Sequence, residues 1–264
     1  MQRHFVHDFP HPMKILCSND DGIFAAGLDV LVRAASQLGD VTVVAPDREQ
    51  SATSHSLTMH RPLRPVQLSE HRHQVDGTPT DCVMLAIEGL MTERPDWVLS
   101  GINHGMNMGE DVLYSGTVAA AMEGLVLGVP SIALSFAGGE MRSESEKLEQ
   151  HLGAVVDLLG HLTSLDVPRT TLFNVNLPAV FGADIKGVRL TRLGRRQYTN
   201  SIRPMSDPWG RPLYWIGAGS MSWTGGEDSD YRAVADGFIS VTPLHLDLTN
   251  GAMFDSAETW WHQP

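Results

Sequence analysis

The stretch Lys14-Ile15-Leu16-Cys17-Ser18-Asn19-Asp20-Asp21-Gly22 joins a short apolar run to two adjacent carboxylates and a glycine. The run from Ile15 to Cys17 is continuously apolar, which is typical of a strand covered on both faces in a parallel α/β sheet. Gly22 permits a turn in which Asp20 and Asp21 converge. Adjacent carboxylates repel each other unless a cation lies between them, and oxygen ligands suit Mg²⁺, Mn²⁺ or Ca²⁺. The stretch therefore predicts a metal site at the end of a buried strand; the alternative is an ordinary turn that caps the next helix.

The composition of the 264-residue chain indicates one sizeable domain, or one domain with a subdomain. A total of 19 Lys and Arg against 31 Asp and Glu gives a formal charge of −12, so we expect no nucleic-acid polymer and no membrane as a partner. An anionic substrate then needs a local positive source, such as a metal or a helix N-terminus. The most apolar window, 124–139, contains Pro130 and is too short to span a bilayer.

The cysteines and the first residues predict the cellular compartment. Cys17 and Cys82 each fall in a predicted apolar element and form no Cys-x-x-Cys pair, which is typical of reduced cysteines in a cytoplasmic protein. Residues 1–12 lack the apolar run that a signal peptide needs, and we expect them to form a disordered leader ahead of Met13. Both features predict a cytoplasmic location.

Apolar runs and helical patterns alternate along most of the chain. Strands are predicted over 41–45, 95–100, 131–134 and 171–177, and helices over 25–38, 118–127 and 147–162, with a further helix that is capped by Thr78 or Thr80 and ends at Leu90. This alternation favours an α/β fold, a three-layer, Rossmann-like, doubly wound and mostly parallel sheet. In such sheets ligands bind beyond the carboxyl ends of the strands.

Three polar segments are expected at that edge of the sheet. The hydroxyl loop, residues 47–56, is rich in small hydroxyl side chains, which usually form Asx or Ser/Thr turns. Three glycines among residues 100–109 indicate that the backbone comes close to another group. Ser115, Gly116 and Thr117 begin a predicted helix, where free backbone N–H groups can hold a phosphate, although an ordinary N-cap uses the same residue types.

The pattern changes at Gly187, after which short β-like runs are separated by Gly, Pro and Asp. Residues 187–264 are expected to provide a hairpin arm, a return strand and a terminal helix that complete the domain formed by residues 13–186. Five of the six tryptophans fall in this part of the chain, at Trp209, Trp215, Trp223, Trp260 and Trp261. Exposed aromatics on an arm predict an interface with another subunit, and the alternative is an arm packed on its own sheet.

Several familiar signatures do not occur in the sequence. There is no Gly-x-x-x-x-Gly-Lys-Ser/Thr loop, no Gly-x-Gly-x-x-Gly after the first strand, no His-Glu-x-x-His and no Gly-x-Ser-x-Gly elbow. These absences disfavour ATP-driven, dinucleotide-dependent and serine-hydrolase chemistry. A phosphatase that forms an aspartyl phosphate needs its two carboxylates separated by one residue, whereas here they are adjacent.

Six motifs occur in a fixed order: Ser18-Asn19-Asp20-Asp21-Gly22; Val44-Ala45-Pro46-Asp47-Arg48 with Ser51; Gly77-Thr78-Pro79; Ser100-Gly101-Ile102-Asn103 with Gly105 and Asn107; Tyr114-Ser115-Gly116-Thr117-Val118; and Ser240-Val241-Thr242-Pro243-Leu244. Together they resemble the SurE family of metal-dependent nucleotidases. The resemblance extends from residue 13 to residue 249. Six motifs in the same order are far more specific than any one of them.

The resemblance implies a phosphatase that hydrolyses nucleoside 5′-monophosphates, with side activity on 3′-nucleotides and short polyphosphate. It also implies one divalent metal ion, Mg²⁺ or Mn²⁺, per subunit, with Asp20, Asp21, Ser51 and Asn103 as its ligands. The family's phosphate-binding groups carry over onto Asn107, Ser115, Gly116 and Thr117. The arm resembles the family's exchanged hairpin, which makes a homodimer or a homotetramer.

These residues give a hypothesis for the reaction. We expect a metal-bound water to attack phosphorus in a catalytic site containing Asp20 and Asp21. Asp20 orients or deprotonates this water, or serves only as a metal ligand. The helix start near Gly116 stabilises the negative charge that develops on the phosphoryl group. His104, beside Asn103, is a candidate general acid, although loop histidines are more often bystanders. The alternatives for the whole protein are a non-catalytic nucleotide sensor and a phosphatase for polyphosphate or another phosphomonoester.

Overall fold

The computed structural model describes residues 12–138, 144–199, 202–217 and 220–254. The leader predicted for residues 1–12, apart from Pro12, lies outside these ranges, as do the predicted terminal helix beyond residue 254 and the last two tryptophans. No helix in the described ranges is long and apolar enough to cross a membrane.

Thirteen strands and five helices form the described chain. The strands are β1 (Met13–Ser18), β2 (Gly39–Pro46), β3 (Pro65–Ser69), β4 (Arg72–Val75), β5 (Trp97–His104), β6 (Ser131–Phe136), β7 (Leu172–Leu177), β8 (Val188–Leu190), β9 (Arg195–Thr199), β10 (Ile202–Ser206), β11 (Pro212–Ile216), β12 (Ser220–Thr224) and β13 (Ile239–Leu244). The helices are α1 (Ala26–Ala35), α2 (Pro79–Leu85), α3 (Gly116–Val126), α4 (Glu144–Thr163) and α5 (Asp230–Ala235). A π-helical turn, Ala86–Leu90, continues α2, and 3₁₀ turns occupy Gly109–Leu113, Gly182–Asp184 and Gly251–Met253.

Nine strands form one sheet in the order β3-β4-β2-β1-β5-β6-β7-β13-β8. All neighbouring pairs are parallel except β3 with β4 and β7 with β13. Helices cover both faces, with α1 and α4 packed together on one and α2 and α3 on the other. The predicted doubly wound, mostly parallel sheet is therefore confirmed.

Strand β1 lies inside this sheet and is covered on both faces. Ile15 packs with α1 and α4, whereas Leu16 packs with α2 and α3, and both side chains are fully buried. Cys17 and Cys82 are also buried, one in each of these two clusters, and both are free thiols. The continuous apolar run thus has the environment that its pattern predicts.

Strand β5 continues to His104, four residues beyond the predicted end at residue 100. Its pairing with β6 shifts register between Ser100 and Asn103 and then resumes. Gly101 has φ +135° within this irregularity, and a Cβ there would lie 2.3 Å from a backbone oxygen of β6. Gly27 of α1 packs against the same part of β5, and a Cβ added to it would lie 2.0 Å from the backbone oxygen of Ile102. The register shift therefore depends on these two glycines. Asn103, which follows the shift, reaches the edge of the sheet while it is still part of β5.

The hairpin arm, residues 195–224, consists of the antiparallel pairs β9–β12 and β10–β11. Near its base, the rings of Trp223 and Tyr231 stack with centroids 5.7 Å apart. The inner pair instead exposes large apolar side chains, including Trp209 at 78%, Trp215 at 66% and Ile216 at 80% exposure. The described inner pair is therefore not packed on the sheet, which favours the predicted interface over its alternative.

Candidate active site

The turn after β1 places Asp20 and Asp21 at the carboxyl edge of the sheet. The buried side chain of Asn19 closes this turn by donating a hydrogen bond from Nδ2 to the Gly22 oxygen, 2.9 Å away. Gly22 has φ +101°, a conformation that favours glycine, and a Cβ there would lie 3.2 Å from the backbone of Arg48. The turn that the sequence predicted from this glycine is present.

Asp20 is almost completely buried, at 4% exposure. Its Oδ1 accepts a hydrogen bond from the hydroxyl of Thr117 in the first turn of α3. Burial raises the pKa of Asp20 to about 6, the Thr117 hydroxyl opposes that rise, and the negative charge of Asp21 adds to it. A cation beside this carboxylate would remove much of the penalty for its charge.

Asp21 joins the end of β1 to the end of β5. Its Oδ2 accepts a hydrogen bond from the backbone N–H of His104 at 3.2 Å, and burial raises its pKa. The side chain of Asn103 donates from Nδ2 to the oxygens of Gly105, at 2.8 Å, and His104, at 3.2 Å. Because both bonds use the amide nitrogen, the amide oxygen of Asn103 is the atom that can serve a metal.

The hydroxyl loop approaches the same corner from the end of β2. The backbone N–H of Gln50 donates to the backbone carbonyl oxygen of Asp20 at 2.8 Å, which fixes the loop beside the carboxylate pair. Ser51 is exposed, and its hydroxyl donates to Glu49 Oε1 at 2.7 Å. Ala52 follows with φ 58°, a left-handed conformation that is rare outside glycine.

A cavity of about 650 Å³ opens between these segments. Five of the predicted site residues line it: Asp20, Ser51, Asn103, Asn107 and Ser115. His104, Met106 and Tyr114 add to its wall, and Arg196 and Ile216 come from the hairpin arm. The structure thus brings together residues from three βα loops and, as the sequence reading did not anticipate, from the arm.

The predicted phosphate-binding residues occupy two different environments. Ser115 is the N-cap of α3, where its Oγ accepts a hydrogen bond from the Val118 N–H at 3.1 Å. Asn107 is 7% exposed and donates from Nδ2 to Ser135 Oγ at 2.8 Å. The hydroxyl of Thr117 is fully buried and holds Asp20, so its side chain acts on the carboxylate and does not line the cavity.

Beneath Asn107 lies a buried amide network that the sequence reading missed. The side chains of Asn174 and Asn176 both donate to the backbone carbonyl oxygen of Asn107, at 2.8 and 3.0 Å, and Asn176 Oδ1 accepts from the backbone N–H of Asn107 at 2.9 Å. Both asparagines lie on β7, whose residues are all buried. Two amides inside an otherwise apolar strand were the available signal, because buried polar groups require partners.

The arm is attached to the loop that follows β5. Arg196 forms an ion pair with Asp111, and its backbone N–H donates to Glu110 Oε2 at 2.7 Å. The buried carboxylate of Asp230 accepts from the N–H groups of Gly109 and Gly194, each at 2.8 Å. Burial raises the pKa of Asp230. These bonds fix one wall of the cavity to the base of the arm.

The donor set at the carboxylate corner fits a hard divalent cation. Asp20, Asp21, Asn103 and Ser51 offer two carboxylates, an amide oxygen and a hydroxyl, which are ligand types of Mg²⁺ and Mn²⁺. The raised pKa values of the two carboxylates show that their charges are poorly compensated by protein groups. Within the described ranges, no group of three or more His, Cys, Asp or Glu could hold a metal ion.

Comparisons with known proteins found similar chains and a similar solved structure. The family model described as "Survival protein SurE" matches residues 15–200. A "5′-nucleotidase SurE" of Gemmatimonas aurantiaca is 66% identical over 253 residues, covering 96% of this chain and 100% of that protein. One of Syntrophotalea carbinolica is 46% identical, covering 94% and 97%. The crystal structure of a SurE protein from Aquifex aeolicus superposes with a TM-score of 0.81 at 42% identity, covering 94% of this chain and 99% of the other.

Proposed function

The chain belongs to the SurE family, and from this premise we propose that it is a 5′-nucleotidase, a phosphoric monoester hydrolase that converts nucleoside 5′-monophosphates to nucleosides and phosphate. The observation that carries the proposal is the buried Asp20 carboxylate, held by Thr117 at the wall of an open cavity beside the first turn of α3. A buried carboxylate with a raised pKa in such a cavity is typical of a catalytic centre. The family name of the relatives supplies the substrate class.

Asp20, Asp21, Ser51 and Asn103 would hold one divalent cation, Mg²⁺ or Mn²⁺, per subunit. When bound, such an ion lowers the pKa of a coordinated water and neutralises charge on phosphoryl oxygens. Asp20, at the wall of the cavity, would orient the attacking water or accept its proton. Asp21 keeps its position through the N–H of His104.

The start of α3 would receive the phosphoryl group. Backbone N–H groups at the N-terminus of a helix attract anions, and Gly116 allows the Asp20 carboxylate to approach this helix because it has no Cβ. Asn107 and Ser115 also line the cavity. Thr117 donates hydrogen bonds to the Asp20 carboxylate from both its hydroxyl and its backbone N–H, so it would act on the phosphoryl group through Asp20.

We extend the proposal to side activities, location and assembly on the basis of the sequence. 3′-Nucleotides and short polyphosphate are proposed as additional substrates, and the cytoplasm as the location. The exposed apolar side chains of the inner arm support assembly as a homodimer or homotetramer. Size-exclusion chromatography with light scattering tests the assembly directly, and a monomer at micromolar concentration would contradict it.

Phosphate release is the decisive assay. Metal-free protein is supplied with Mn²⁺, Mg²⁺ or EDTA and with AMP, GMP, 3′-AMP or tripolyphosphate. We expect release from the 5′-monophosphates in either metal, none in EDTA, and none from Asp20→Asn. Asp166→Asn changes an exposed carboxylate in the same way and serves as the control that retains activity. Binding of AMP without release in any metal would contradict the proposal and identify a nucleotide sensor.

A further inference from the structure

Helix α3 carries one acidic side chain, Glu123, in a buried position. Glu123 is 2% exposed, and its Oε2 lies 2.7 Å from Nε2 of His55. Its other carboxylate oxygen has no hydrogen-bond partner among the described residues. A buried carboxylate is strongly unfavourable unless it is paired, so the contact with His55 is its main compensation.

His55 belongs to the hydroxyl loop and follows Ser51 by four residues. The loop is fixed before Ser51 by the Gln50 N–H on the backbone oxygen of Asp20 and after it by His55 on Glu123, with a longer bond between them from the Ser54 N–H to the backbone oxygen of Tyr114, at 3.3 Å. Between these two anchors lie Ala52 and Ser54, with φ 58° and 54°, the only non-glycine residues of the described chain with positive φ. Such conformations persist only where the surroundings impose them.

The geometry points to His55 and Glu123 as positioning residues, which hold Ser51 at the cavity by clamping the far end of the hydroxyl loop to α3. This inference rests on the proposed role of Ser51 as a metal ligand. Glu123 follows Thr117 by six residues on the same helix, and Thr117 holds the Asp20 carboxylate. One rigid helix therefore sets the separation between the carboxylate and the hydroxyl, because it contacts both segments that carry them.

The test measures Mn²⁺ binding to metal-free protein by titration calorimetry, without nucleotide. His55→Ala is expected to weaken binding about tenfold, and Glu123→Gln by less, because glutamine can still accept a hydrogen bond from histidine. The double variant should bind no more weakly than His55→Ala, since both changes break one contact. At saturating Mn²⁺, kcat of His55→Ala should stay within about threefold of the unchanged protein.

The control is Arg33→Ala, which breaks the exposed ion pair with Glu149 between α1 and α4 and should leave Mn²⁺ affinity unchanged. Circular dichroism and thermal unfolding of each variant show that it is folded. Unchanged Mn²⁺ affinity in folded His55→Ala would overturn the inference, and so would additive losses in the double variant. If the unsubstituted protein neither binds Mn²⁺ nor releases phosphate, the proposed metal site itself is wrong, which is a different result.

Discussion

Replacing Asp20 by Asn is expected to make the metal-free protein more stable, although the same substitution abolishes turnover in the presence of the metal. The Asp20 carboxylate is 4% exposed and lies beside a second carboxylate. Asparagine has nearly the same shape, and its Oδ1 can still accept the hydrogen bond from Thr117. The substitution therefore removes an unfavourable buried charge while it retains the packing of the turn.

The magnitude follows from the pKa of Asp20, which is raised from 3.8 to about 6. The folded state binds the proton more tightly than the unfolded state, so stability falls as pH rises between those two values and stays lower above them. Two pH units correspond to roughly 3 kcal/mol. At about pH 8 this predicts a gain of roughly 6 °C or more in Tm for Asp20→Asn. At a pH of about 4 the gain should disappear, because the carboxylate is then protonated in the folded protein.

Thermal unfolding in EDTA, at one protein concentration, tests this prediction at both pH values. Asp166→Asn is the control, since that carboxylate is exposed and its loss should leave Tm unchanged. Saturating Mn²⁺ should reverse the order of the two proteins, because only the one with Asp20 gains stability from the ion. A lower Tm for Asp20→Asn in EDTA at the higher pH would refute the reasoning.

Three further changes probe other parts of the molecule. Gly116→Ala places a Cβ 2.9 Å from Oδ2 of Asp20, so the rate of phosphate release should fall about a hundredfold. The control is Gly153→Ala on α4, where the added Cβ meets open space, and it should retain full activity. His151 is buried and its pKa is lowered by burial, so stability should fall as pH drops below about 6.5. His151→Met should flatten that decline in urea titrations, and an unchanged slope would contradict this. Asp230→Ala leaves the backbone N–H groups of Gly109 and Gly194 without their acceptor and should lower the free energy of unfolding by about 2 kcal/mol; an unchanged urea midpoint would argue against it.

The sheet and the convergence of the site could be predicted because both follow from local patterns. Ile15 and Leu16 belong to a continuously apolar run, which is typical of a strand buried on both faces, and Gly22 permits the turn after it. Parallel strands end at one edge of a sheet, so the sequence predicts that Asp20, Ser51 and Asn103 lie near each other. The cavity that they line agrees with that expectation.

The remaining contacts depend on distant parts of the chain, which local patterns do not encode. Thr117 has the sequence context of an ordinary first-turn residue, and its bond to Asp20 spans 97 positions. Arg196 reaches Asp111 across 85 positions from the arm. Glu123 is different, because its sequence context does indicate a contact. It follows an alanine-rich, largely apolar part of α3, where a buried carboxylate needs a partner.

The two glycines that flank the irregular part of β5 have a consequence for mutational studies. In a saturation library selected for turnover, Gly27 and Gly101 should score as intolerant as the acidic pair, although neither has a side chain that could take part in chemistry. Any larger residue at either position would collide with backbone atoms and displace the strand end that carries Asn103. A ranking of positions by lost turnover alone would thus count both glycines as catalytic. The soluble yield of each variant would distinguish a lost catalytic group from a displaced strand.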